Sequence, residues 1–108
     1  MSGKDDALNI IDNLLLRAET ISSMLYSQNE KEAMEKLAFF MEDITVLVEW
    51  LLSNQYEKED SVFALNNELR QIVSAFERKD PFLAADILNA NIVMLLQDWE
   101  GNLRERTN

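Results

Sequence analysis

The chain has 108 residues, of which 47% are apolar, enough for one domain around one core and too many for a disordered tail. It contains no cysteine and no histidine, which excludes a disulfide framework, thiolate chemistry and any Ser-His or Cys-His pair. Twenty acids against ten bases give a net charge of −10, which opposes direct binding to phosphate backbones, so no nucleic-acid partner is expected.

Only two glycines and one proline occur, so long uninterrupted helices are the expectation. The opening segment MSGKDDALN lacks the basic-then-apolar order of a secretory signal. No apolar run reaches the roughly 20 residues of a membrane span, so a cytoplasmic protein without membrane contact is expected. The first helix is predicted over 5–27, with Ile11, Leu14, Ala18, Ile21 and Leu25 on one face at alternating gaps of three and four. SQNEKE breaks that pattern, and Asn29 with Glu32 suits a variant of the capping box. The second helix is predicted over 30–53, with a seam of Met34, Leu37, Met41, Ile44, Val48 and Leu51.

SNQYEKED is the one clear linker, and a third helix follows over 60–78 with Val62, Leu65, Leu69, Ile72 and Phe76 inward. Asp80 suits a helix cap and Pro81 the first helical position, which starts a fourth helix over 81–100. Its seam is Ala85, Leu88, Ile92, Leu95 and Trp99, with Gly101 as its stop and a mobile tail beyond. The seams of the first two helices superimpose on those of the last two, which suits a pair of similar helical hairpins. Short turns within each hairpin make its two helices antiparallel. The expected fold is all-α: a single-domain, up-down-up-down four-helix bundle made of two helical hairpins.

The stretch DPFLAADILNANIVMLLQDW, with Leu83, Ala85, Asp86, Leu88 and Asp98–Trp99, and the segment VEWL at 48–51 carry a resemblance. Together they resemble an uncharacterised family of small all-helical bacterial proteins, a domain of unknown function. The resemblance implies a helical fold and transfers no functional residue.

Catalytic machinery is scarce. Without histidine the Glu-x-x-His pairs of bundle di-iron sites cannot be built, and no Gly-rich phosphate loop exists. Carboxylates remain, as Glu32-x-x-Glu35 and Glu57-x-x-Asp60, the kind of spacing that holds magnesium in helical nucleotide pyrophosphohydrolases. The first pair sits at a helix start, where acids favour the helix dipole in any case, and the second falls in the linker. A carboxylate-dependent magnesium enzyme is therefore the alternative reading, and no catalytic residue, cofactor or metal is assigned. In the fourth helix Asn91 lies opposite the wet side marked by Asp86, Asn89, Gln97 and Glu100. It is either a register-fixing amide bonded to a neighbouring helix or the floor of a small polar site with Asp98 at its rim.

The second helix poses the sharper question. Glu35, Glu42 and Glu49 mark a narrow wet ribbon, yet Phe39, Val46 and Trp50 form a second apolar stripe beside it, interrupted by Asp43. One helix of a bundle cannot turn both stripes into the same core. Either the linker or the N-terminal segment folds over the second stripe, or another protein chain covers it. The expected function is non-enzymatic: protein–protein interaction through Phe39, Asp43, Val46 and Trp50. The partner is a second copy of the chain, or a partner helix held in the manner of an adaptor or chaperone.

Overall fold

The computed structural model describes residues 3–106. Four helices account for nearly all of it, and no strand occurs among the described residues. They are α1 (Lys4–Tyr26), α2 (Glu30–Ser53), α3 (Glu59–Glu77) and α4, which runs without a break through Pro81–Asp86, Ile87–Ile92 and Val93–Glu105. The middle segment of α4 is a π-helix, and right-handed helical angles at Ile87 and Val93 carry the chain across both junctions. The body measures 45 × 23 × 19 Å.

The turns are made without glycine. Gln28, Gln55 and Lys79 each take a positive φ, at 64°, 61° and 57°. Each is the left-handed residue of a Schellman closure. Asn29 N–H bonds Met24 O while Gln28 N–H bonds Leu25 O, and the same pair of bonds recurs from Tyr56 and Gln55 to Leu51 and Leu52, and from Asp80 and Lys79 to Ala75 and Phe76. Asp80 caps α4 as expected, accepting from Leu83 N at 3.1 Å, with Pro81 in the first turn. Asn29 does not act as a side-chain cap. Its backbone N–H is already taken by the Schellman bond, and its Nδ2 donates to Glu32 Oε2 at 2.9 Å instead.

α1 occupies the middle of the packing, against α2 on one side and all three segments of α4 on the other. α3 packs on the first two segments of α4, and no comparable contact joins α2 to α3. The core gathers Ile11, Leu14, Ile21 and Leu25 of α1 with Phe40, Ile44, Leu47 and Leu51 of α2. Leu88, Ile92, Leu96, Trp99 and Leu103 of α4 complete it. With one full partner, α3 buries only Leu65, Ile72 and Ala75, and its expected core residues Val62, Leu69 and Phe76 are half-buried.

Two seams differ from expectation. In α2 the buried line is Ala33, Leu37, Phe40, Ile44, Leu47, Val48 and Leu51, which keeps Leu37, Ile44, Val48 and Leu51 of the expected seam, while Met41 is half-buried and Met34 exposed. The helix turns its wide apolar arc toward Phe40 and Leu47, which lose less side-chain freedom on burial against α1 than two flexible methionines would. In α4 the seam runs Ala85, Leu88, Ile92, Leu96, Trp99 and Leu103, so Leu96 replaces Leu95. A π turn holds more residues than an α turn and rotates everything beyond it relative to a regular helix. Gly101 does not stop α4. The helix continues to Glu105 because Leu103 is fully buried and Arg106 Nη1 donates to Gln55 O at 2.8 Å and to Tyr56 O at 3.2 Å. Of the expected mobile tail, residues 107–108 lie outside the described residues.

Candidate interaction surface

The four residues of the α2 stripe meet different fates. Phe39 and Val46, two turns apart on one face, are 63% and 50% exposed. Asp43, between them, forms an ion pair with Arg17 of α1 at 2.6 Å, and Arg17 Nη1 also donates to Asn13 Oδ1 at 3.2 Å. Arg17 stands with its guanidinium 5.9 Å from the centre of the Phe40 ring, so it bridges the exposed edge of α1 and α2. Trp50 is half-buried and stacks on Tyr56 of the linker, with ring centres 5.3 Å apart and planes 11° from parallel. Tyr56 is itself approached by the Arg106 guanidinium at 5.5 Å and by Lys4 Nζ at 5.9 Å.

The stripe is therefore covered at one end by the linker and open at the other. Phe39 also forms a wall of a shallow groove of about 230 Å³ between α1 and α2, together with Arg17, Thr20, Ile21 and Lys36. Lys36 stands in that groove beside the exposed ring, while the charge of Arg17 is engaged by Asp43.

The proposed polar core site is not assembled. The π turn rotates Asn91 out of the core; it is exposed, and its Nδ2 donates to Glu68 Oε2 of α3 at 2.9 Å. Asp98 is exposed on another groove, beside Leu95, Trp99 and Asn102, which Asn91 does not line. Asn91 is thus bonded to a neighbouring helix at the surface, outside the apolar seam.

The acidic pairs are scattered. Glu32 accepts from Asn29, and Glu57 accepts from Asn102 Nδ2 at 2.6 Å, tying the linker to the end of α4. Among the described residues no group of three or more Asp, Glu, His or Cys gathers where it could hold a metal.

Sequence reading missed the groove between α1 and α4, where Tyr26 stacks on Phe82 with ring centres 6.2 Å apart and its hydroxyl donates to Asp86. That hydrogen bond to a carboxylate, then burial and the Asp86 charge, raises the Tyr26 hydroxyl above the usual phenol range. Farther along the same two helices, Asp12 raises the Glu100 carboxyl, first through a shared hydrogen bond, with burial and like charge adding to it and Arg104 opposing. The seam spacing carries no sign of this pairing, because it depends on how α1 sits against α4.

No helix of the described residues is long and apolar enough to cross a membrane. Neither a curated protein nor a solved structure matches the chain. The profile of one family matches residues 5–102, from the start of α1 almost to the end of α4. The chain belongs to that family, the domain of unknown function DUF8042.

Proposed function

We propose that this chain is a non-enzymatic, cytoplasmic interaction protein whose α2 surface, centred on Phe39 and Val46, pairs with a second copy of itself. The architecture behind this reading is an up-down-up-down four-helix bundle of two hairpins, opened between α2 and α3. Its support comes from the ends that meet: Lys4 and Arg106 at Tyr56, and Tyr26 at Asp86. One observation carries the functional reading. α2 completes its core face with Phe40, Ile44, Leu47 and Leu51, and still presents Phe39 and Val46 at 63% and 50% exposure. Large apolar side chains exposed together are unusual on a monomer and enriched at interface centres.

A two-fold interface needs only one self-complementary patch, which makes the homodimer the simplest occupant. Lys36 beside Phe39 offers a cationic partner for the Glu35, Glu42 and Glu49 ribbon of the opposite copy. Light scattering across a dilution series tests this: the mass falls from dimer to monomer on dilution. A monomeric mass at every concentration refutes self-pairing. No observation favours the carboxylate–magnesium reading.

A further inference from the structure

A groove with a volume of about 680 Å³ runs between α1 and α4, and it is separate from the α2 surface. Asp12 and Glu19 stand on its α1 side, Asn89 and Gln97 on its α4 side. Leu15, Leu16 and Val93 supply apolar wall, and Leu16 is 66% exposed. Among the described residues no lysine or arginine lines it. The π segment of α4 contributes Asn89 to the groove, while Leu88 beside it fills the core.

Two observations point to an occupant. Ser22 lines the groove, is only 3% exposed, and its Oγ has no hydrogen-bond partner. A buried hydroxyl without a partner is destabilising, and a donor or acceptor arriving in the groove would recover part of that loss once the hydroxyl turns about χ1. The second observation is charge. Asp12 and Glu19 line the groove without a lysine or arginine beside them, and Asp12 shares a hydrogen bond with Glu100 that holds the Glu100 carboxyl above the ordinary carboxylate range. A further carboxylate, Asp86, engages Tyr26 at the other end. A cation placed between Asp12 and Glu19 meets two carboxylates that no basic side chain of the groove neutralises.

We infer that the α1–α4 groove binds a basic amphipathic segment of a partner protein, with its apolar side chains on Leu15, Leu16 and Val93 and its lysine or arginine side chains on Asp12 and Glu19. The groove is within the size range of sites that bury a ligand the size of a few side chains. Apolar wall supplies contact area, and the acidic rim selects positive charge and speeds encounter. The inference does not depend on self-pairing through α2.

Titration calorimetry of the full chain with a synthetic amphipathic helix, lysines on one face and leucines on the other, tests it. Binding is expected to be saturable and to weaken as salt rises. The double variant D12N/E19Q is expected to lose tenfold or more in affinity and S22A severalfold, with helical circular dichroism unchanged. E59Q/E77Q, which removes two exposed acids of α3 outside both the groove and the α2 surface, is the control for non-specific attraction and is expected to bind as the wild type. Equal weakening by E59Q/E77Q, equal binding by D12N/E19Q, or unaltered affinity in S22A overturns the assignment. So does spermine binding as tightly as the peptide, since the apolar wall would then contribute nothing.

Discussion

Glycine positions in this chain are informative through where glycine is absent as well as where it stands. Gln28 holds φ at 64° in a Schellman closure, a conformation that costs a non-glycine residue about 1 kcal/mol or more. Gln28→Gly is therefore expected to stabilise the fold by about 0.5 kcal/mol, the strain relieved less the extra freedom of the unfolded chain, in urea unfolding. Gly101 is the reverse case. It sits inside α4 without a positive φ, and a Cβ added there would meet nothing within 4 Å. Gly101→Ala should stabilise by about 0.5–1 kcal/mol, whereas a glycine that stopped the helix would make the same change destabilising. Glu100 gives a pH signature. Its carboxyl is raised in the fold, chiefly by Asp12, so the folded state binds a proton more tightly than the unfolded chain. Stability from this site is present at low pH and lost as pH rises through the raised value. Glu100→Gln should thus raise the melting temperature more at pH 7 than at pH 4, and an equal shift at both would contradict the shared hydrogen bond.

At the scale of the element, the π segment of α4 decides which side chains reach the core. Leu96 is fully buried and Leu95 is not, although a regular helix through Leu88 and Ile92 favours Leu95. Leu96→Ala is expected to cost about 2–5 kcal/mol and Leu95→Ala clearly less, measured by chemical denaturation; the reverse order would restore the regular helix. The same segment explains what the sequence could and could not tell. Periodicity places α1 almost residue for residue, because Ile11 to Leu25 have one neighbour on each flank and no irregularity. Periodicity also locates α2 but points it slightly wrong: Phe40 and Leu47 compete with Met34 and Met41 for one arc, and only packing against α1 resolves the competition. Beyond Ile87 the extra residue in the turn carries no compositional mark, so Asn91 reads as core-facing while it bonds Glu68 at the surface. Gly101 reads as a stop for want of seeing that Leu103 has a place in the core. In the candidate surface, Phe39 and Val46 stood out from the glutamate spacing alone, while the Tyr56 cover on Trp50 and the Arg17–Asp43 pair required tertiary geometry.

For the whole molecule, charge and exposed apolar surface pull in opposite directions. Two copies, each of net charge −10, repel at long range, and salt shortens that repulsion to about 8 Å near 0.15 M. Pairing through Phe39 and Val46 should therefore tighten from low to moderate salt. Peptide capture in the α1–α4 groove is expected to weaken over the same range. Sedimentation velocity at moderate salt tests pairing through the α2 surface on three proteins: wild type, Val46→Asp and Val73→Asp. Val73 is 45% exposed on α3 and serves as an apolar position outside the surface. An aspartate at Val46 would bury an unpaired charge in the interface and dissociate it at little cost to the monomer fold. Wild type and Val73→Asp are expected to sediment as dimers and Val46→Asp as a folded monomer. If all three sediment as the same folded monomer, or Val46→Asp remains dimeric, the α2 surface is not a dimer interface.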